Sequence, residues 1–441
     1  MRGKVGVVLY YDKHARYGLN AIIASIDTID DVDVYLVEKR EALPLFLKLV
    51  SEKYLVCVLG FSVLTTMLVE NSYLEFIREN TRLAEKLKCI PVIGGPHASG
   101  DPIGSLYSLG FQYAFIGESE ESFREFLVKL REKDDPLKVK GIVTKINNKL
   151  VFTGRRELVD LNKYHPFPFW RHLTNPIEIT RGCPFGCKYC QVTYMHGPIM
   201  RHRSIEKIVE YAEIIIREGV KDIRFISPNS LAYGSKKLGK PAYEVLEEFF
   251  EQLHEKIVLK HGARIFFGTF PSEVRPEYVD DDIMRLLKKH VSNKMIIVGA
   301  QSGSNRVLEF IGRKHSVEDV LNAVDIIHKY GFTASVDFIL GLPGEDEDDL
   351  MKSIRVIKKL VEKGAKIHLH TFMPLPGSPF AYAKPSKIPG WARKEIARII
   401  GVGKAYGEWI TQEKIALKIV ELREKGIIMP WRAKTLSSAD H

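Results

Sequence analysis

Three cysteines stand within eight positions of a chain that has only five, in the stretch "RGCPFGCKYCQ" (181–191). Cys183, Cys187 and Cys190 are spaced C-x3-C-x2-C, and thiolates this close together bind metal or exchange electrons. A closed structural zinc site takes four ligands, usually as two short pairs. His196 follows Cys190 with five residues between them, which is not a zinc-finger spacing. A thioredoxin-like redox pair would use Cys187 and Cys190 and leave Cys183 without a role. Three thiolates with no fourth suit an iron–sulfur cluster with one iron left open to a chelating ligand.

Such a loop needs a rigid support, and the second half of the chain supplies one. Strands are predicted at 176–181, 222–228, 263–269, 295–301, 333–341 and 366–372, separated by helical patterns. Ser204 opens an apolar-periodic run that stops at Gly219. Ser316 with Asp319 reads as a capping box whose helix ends at Gly331. Six βα units in series imply a parallel partial (β/α)6 barrel over 175–385, with its site at the carboxyl ends of the strands. The cysteine loop follows the first of them. Basic helical sequence fills 386–441.

The first 135 residues alternate in the same way. Near-continuous Val/Ile/Leu runs at 4–11, 32–38, 54–63, 90–96 and 113–117 imply a parallel sheet covered by helices on both faces, the clearest helices being 71–88 and 118–132. The fold class is α/β: a flavodoxin-like, doubly wound domain whose ligands sit outside the strand ends. Residues 136–174 form a hairpin and linker, with Asn147–Asn148 at the turn and the proline-broken "KYHPFPFW" behind it. Cys57 and Cys89, in or beside apolar strands, read as buried free thiols.

With 441 residues, 45% hydrophobic and 27% charged, the composition is that of an ordinary globular protein of more than one domain. A net charge of +10 permits RNA or a phosphorylated substrate without naming either. Five cysteines do not make a disulfide framework. The N-terminus lacks a signal-peptide core, and no apolar run approaches the roughly 18 residues of a membrane span. These features predict a cytoplasmic protein with reduced thiols.

The cysteine stretch resembles the C-x3-C-x-Φ-C signature of the radical S-adenosylmethionine (SAM) superfamily, with Tyr189 as the aromatic Φ. "FISPNS" (225–230), "VGAQSGSNRVLEFIGRKHS" (298–316), "DFILGLPGEDEDDL" (337–350) and "TFMPLPGSPF" (371–380) are similar to the later strand-end segments of that family. The resemblance implies a [4Fe-4S] cluster on Cys183, Cys187 and Cys190, whose open iron binds SAM and whose electron releases a 5′-deoxyadenosyl radical. It implies SAM contacts at Ser227, Asn229, Gln301, Ser302 and Gly341, and a reduced ferredoxin or flavodoxin as electron donor. "IGGPHASGDP" (93–102) and "FIGESEESF" (115–123) resemble the cobalamin-binding domain that precedes the barrel in one branch. "RHRSIEKIVEYAE" (201–213) is also similar to that branch. Cobalamin would then lie over Gly94, Gly95 and Gly117. His14, in "YYDKHARYG", departs from the cobalt-ligating motif by one residue and reads as a solvated loop histidine.

These resemblances imply a cobalamin-dependent methyltransferase acting on an unactivated carbon of a small molecule or RNA. The alternatives are a cobalamin-independent rearrangement, cyclisation or methylthiolation, and an RNA-binding or assembly factor with a structural cluster. RNA methylthiotransferases need three further N-terminal cysteines, and this chain has two. His196, His202, Tyr233 and Lys294 are candidate substrate contacts in the barrel.

Overall fold

The computed structural model describes residues 5–431, so Lys4 of the first predicted strand and the last ten residues of the basic C-terminal region lie outside it. The first sheet contains β1 (Val5–Tyr10), β2 (Val32–Val37), β3 (Val56–Ser62), β4 (Ile90–Gly94), β5 (Tyr113–Phe115), β6 (Ile142–Ile146) and β7 (Lys149–Phe152), in the order β2-β1-β3-β4-β5-β6-β7. The first five are parallel, in the flavodoxin-like order 2-1-3-4-5. Period-two alternation divides their side chains between two cores. Val5, Val7 and Leu9 pack with the helices Arg16–Ile26 and Glu120–Glu132. Val8 and Tyr10 pack on the other face with Leu43–Lys53 and Asn71–Lys86. The hairpin turns at Asn147 and Asn148, both at positive φ, and extends the same sheet in antiparallel fashion.

Two sequence readings change here. The run at 90–96 leaves the strand at Gly94, because Gly95 takes φ +87° and Pro96 suits the first turn of the helix Gly95–Gly100. Cys57 and Cys89 are joined as a disulfide rather than being free thiols. The parallel register of β3 and β4 sets Val58 opposite Ile90, which brings the preceding residues side by side with Cα atoms 4.5 Å apart. A separation of 32 residues hides that proximity from the sequence.

The second half forms β8 (Ile177–Glu178), β9 (Thr180–Arg181), β10 (Arg201–His202), β11 (Asp222–Ile226), β12 (Arg264–Phe266), β13 (Met295–Gln301), β14 (Thr333–Leu340), β15 (Lys366–Thr371) and β16 (Ala405–Tyr406). Parallel sheets β8-β11-β12 and β13-β14-β15-β16 are joined by a parallel bridge between Val274 and Val298. Together they curve into the partial barrel, with β10 pairing antiparallel to β9 beside the cysteine loop. Helices such as Ile205–Arg217, capped by Ser204, and Val317–Lys329, with its Ser316/Asp319 capping box, close the outer face. Within the described residues no helix is long and apolar enough to cross a membrane.

The C-terminal region is more than a basic helical tail. It adds β16 to the barrel, then packs Ile419 and Leu422 of the helix Trp409–Glu424 into a core of the first sheet. The Trp431 N–H donates to Gly100 O (2.9 Å), and the Met429 N–H donates to Asp101 Oδ2 (2.8 Å). At Gly100 an added Cβ would lie 2.2 Å from the backbone carbonyl of Pro376, which cannot swing aside. Gly100→Ala is therefore expected to destabilise the protein by about 1–3 kcal/mol, read as a lower midpoint in urea with an unchanged m-value. An unchanged midpoint would show that the two halves do not meet there.

Candidate cluster, cofactor and barrel sites

The cysteine loop leaves β9 through Gly182, at φ +89°, where a Cβ would lie 2.1 Å from Ile199 O. Within the loop, Thr193 Oγ1 donates to Cys183 O (2.7 Å) and accepts from the Gly186 N–H (3.2 Å). The Lys188 N–H donates to Ile311 O, and Lys188 O accepts from the Phe380 N–H, tying the loop to the ends of the barrel. Tyr189 packs between the main barrel core and a smaller cluster around Leu308.

The donor set can be tested against its expected group. All three thiols are free. Burial raises the Cys183 thiol and pushes Cys190 up to about 12, so both carry protons that a metal must displace. Three thiols on one loop, with no fourth protein ligand among them, leave a coordination position open, which a closed structural zinc site does not. Three thiolates with an open position suit an iron–sulfur cluster with one free iron. Two buried guanidinium groups would offset the thiolate charge once a metal displaces those protons. Arg313 Nη1 lies 3.9 Å from Cys187 Sγ while Nη2 donates to Gly299 O, and Arg275 covers the Phe185 ring at 3.5 Å. Sequence reasoning missed both arginines. Their signal was a charged residue beside a barrel strand end, in "SEVRP" and "FIGRKHS".

The candidate SAM contacts are distributed unevenly. Ser227 and Asn229 are buried just beyond β11, and Asn229 Nδ2 has no partner while its Oδ1 accepts from the Arg275 N–H. Gln301 ends β13 at φ +75°, with its amide over Gly299. Ser302 points elsewhere: its hydroxyl accepts from the Ser304 N–H and meets Ser353 Oγ. Gly341 ends β14 at φ +70°, covered by the backbone of Ser386. Its N–H donates to Glu345, whose carboxyl burial raises to about 8.

A cavity of about 350 Å³ separates the two halves. Its floor is the strand ends of the first sheet, including Gly60, Gly94, Gly95 and Gly117. Its roof includes Glu178, Arg181, Met195 and His196. A Cβ on Gly94 would project into open space, and Gly95 and Gly117 sit at positive φ. A bare glycine edge below an open cavity is the surface a flat macrocycle needs. His14 lies at the rim, 62% exposed and 3.0 Å from Asp12 Oδ1, in keeping with a solvated loop residue.

The walls meet through a buried ion-pair network. Glu118 and Glu120 follow β5. Arg181 binds Glu120 at 2.7 Å and Glu178 at 2.6 Å, and Arg201 holds Glu118 through both guanidinium nitrogens. Arg203 donates to Glu178 O and to Tyr164 O of the linker. His202 pairs with Thr180 Oγ1 (3.0 Å), and the Tyr233 OH donates to Arg203 O, so both are framework groups. His196 lies 3.5 Å from Glu118 in the cavity roof, and Lys294 is exposed at the amino end of β13, away from the site.

Three comparisons bear on these sites. Residues 177–357 match the Radical SAM superfamily. An uncharacterized protein of Methanocaldococcus jannaschii is 26% identical over 355 residues, covering 70% of this chain and 67% of that protein. A threonylcarbamoyladenosine tRNA methylthiotransferase of Thermotoga maritima is 27% identical over 206 residues, 46% of this chain and 44% of that one. Thus the chain spans between about two fifths and two thirds of its curated relatives. Among solved structures, the radical SAM methyltransferase TsrM of Kitasatospora setae, with cobalamin and a [4Fe-4S] cluster bound, superposes with a TM-score of 0.68 at 17% identity. The match covers 86% of this chain and 74% of that one. Residues 177–357 thus carry the radical SAM superfamily match, and the chain shares its fold, N-terminal Rossmann-like sheet included, with TsrM.

The network makes a pH prediction. Burial alone would raise the Glu118 carboxyl, but hydrogen bonds from His196 and Arg201 and the charge of Arg181 hold it down at about 2. A depressed carboxyl stabilises the fold above its unfolded value near 4.5, and that contribution is lost as pH falls toward 2. Urea unfolding at pH 5 and pH 3 is expected to show a loss of about 1–3 kcal/mol that Glu118→Gln removes. An equal pH slope in both proteins would contradict it.

Proposed function

We propose that this protein is a cobalamin-dependent radical SAM methyltransferase acting on an unactivated carbon. The observation that carries the reading is the glycine-floored cavity whose roof includes Met195 and His196, in the segment just after the cysteine loop. Gly94, Gly95 and Gly117 on one cavity wall would face a corrinoid, and the neighbouring cysteine loop would hold the cluster. Bound there, a [4Fe-4S] cluster supplies the electron that cleaves SAM, and cobalamin supplies a carrier for the methyl group. The TsrM fold supports the pairing, since that protein is a methyltransferase with both groups bound.

The chain's own residues have definite tasks in this reading. Cys183, Cys187 and Cys190 hold the cluster, and Gly182 and Gly186 let the loop turn around it at positive φ. Arg313 and Arg275 set positive charge beside the thiolates. Ser227, Asn229, Gln301 and Gly341 provide polar groups and bare backbone for SAM at the strand ends. Gly94, Gly95 and Gly117 leave room for the macrocycle, and Glu118 with Arg181 and Arg201 fixes the spacing of the cavity walls. Methylthiolation fits less well, because the two remaining cysteines are joined to each other and offer no second cluster. The substrate would enter between the two halves, and a reduced ferredoxin or flavodoxin would supply electrons.

The test is anaerobic reconstitution of the full chain with iron, sulfide, cobalamin and SAM. After reduction the parent is expected to release 5′-deoxyadenosine, and Cys183→Ala none. Gly94→Leu, whose side chain would enter the open cavity, is expected to weaken corrinoid retention at least ~10-fold while keeping the iron. If the parent cleaves no SAM and retains no corrinoid, the reading is wrong.

A further inference from the structure

A second group of ligand-type side chains lies inside the barrel, on strands that do not carry the cysteines. Asp337 stands mid-way along β14, and the parallel register sets it opposite His368 of β15. Period two puts His370 on the same face as His368. His368 Nδ1 lies 3.1 Å from Asp337 Oδ1 and 3.2 Å from His370 Nε2, and ligand atoms of all three residues fall within 4.8 Å of one another. Bonds of about 2.0–2.2 Å from one ion place neighbouring ligand atoms about 3.0–3.5 Å apart. Two histidines and one carboxylate gathered on one face leave other coordination positions open.

Hydrogen bonding alone does not satisfy this group. Gln412 Oε1 accepts from the Thr371 N–H at 2.8 Å, which turns its amide NH2 toward His370 Nδ1 at 3.2 Å. His370 Nδ1 must then accept, and its proton sits on Nε2, aimed at His368 Nδ1. If His368 Nδ1 carries a proton for the Asp337 carboxylate, two donors face each other. If it carries none, a lone pair faces the carboxylate. Moving the His370 proton to Nδ1 only transfers the conflict to Gln412. With Asp337 ionised and both imidazoles neutral, every arrangement leaves at least one opposed pair.

Negative charge gathers around the same point. Glu273 is close enough to Asp337 for the two carboxyl groups to act on each other. Tyr406 stacks on His368 at 4.6 Å and holds that ring in place.

We propose that Asp337, His368 and His370 form a binding site for one divalent transition-metal ion, distinct from the cluster on the cysteines. The ion is of the borderline class that takes imidazole and carboxylate together, such as Fe2+, Mn2+, Co2+ or Zn2+. Loading puts all three facing lone pairs onto the ion and offsets the Asp337 and Glu273 charges. It leaves one misfit, at Gln412, whose amide NH2 would face the His370 Nδ1–H. A glutamate at 412 would accept from both that N–H and the Thr371 N–H, as carboxylate partners of ligating histidines do.

The probe is Co2+, titrated anaerobically into the full chain carrying Cys183→Ala, Cys187→Ala and Cys190→Ala, and into the cluster-loaded parent. The site is expected to take one Co2+ per chain in both proteins, with weak ligand-field bands and no thiolate charge transfer. Success in the triple variant is independent of cluster assembly, and so of the methyltransferase reading. His370→Ala is expected to weaken binding ~100-fold, and Gln412→Glu to tighten it ~10-fold. A gain of affinity cannot come from misfolding. Absence of the bands below ~0.1 mM Co2+, or binding that both substitutions leave unchanged, overturns the proposal.

Discussion

The Glu118–Arg201–Arg181 contact is the constraint from which the rest of the molecule is organised. Glu118 follows the last parallel strand of the first sheet, whereas both arginines flank the cysteine loop. These charges are buried, so breaking one leaves its partner unpaired in a medium that solvates it poorly. Such a contact tolerates little sliding. It fixes the height of the cavity between the halves and anchors the two ends of the loop that carries Cys183, Cys187 and Cys190. The Val159 N–H donates to the same carboxylate at 2.8 Å, so the linker is tied to the same point.

From that anchor, function follows the strand ends. Both halves are parallel βα assemblies, and in each the carboxyl ends of the strands gather loops whose backbone N–H groups and glycines are free of the sheet. Here the two sets of ends face each other across one cavity. The chain closes the arrangement twice more, through Pro376 against Gly100 and through the strap at Met429 and Trp431.

Local pattern told most of the fold. Apolar runs located the five parallel strands and the main barrel strands, and Ser204 and Ser316 marked helix starts that the structure retains. The cysteine loop was legible because Cys183, Cys187 and Cys190 lie within eight positions, and the structure carries them on one loop after β9. What stayed hidden depends on register between distant segments. The Cys57–Cys89 pair needs β3 beside β4, the seventh barrel strand needs Ala405 beside Ile367, and the Asp337–His368 contact needs β14 beside β15. Ser302 shows the converse. Its position after β13 suggested a ligand contact, but the turn that follows uses its hydroxyl.

The polar interior of the barrel extends from the cluster loop toward β15. Cys187 touches Arg313, Arg313 lies over Gly299, and Gly299 is in register with Asp337, which meets His368 and then His370. Several atoms along and beside this line, including Arg313 Nε, Asn229 Nδ2 and Arg275 Nη2, are buried without partners. Each such atom costs about 1–3 kcal/mol. A protein built only for stability would have filled that space with leucine and valine, as it did on the outer faces of the same strands, where Val336, Phe338 and Leu369 are buried. Alternation along a strand allows this division: one face carries the stability, and the other can remain polar and open to ligands.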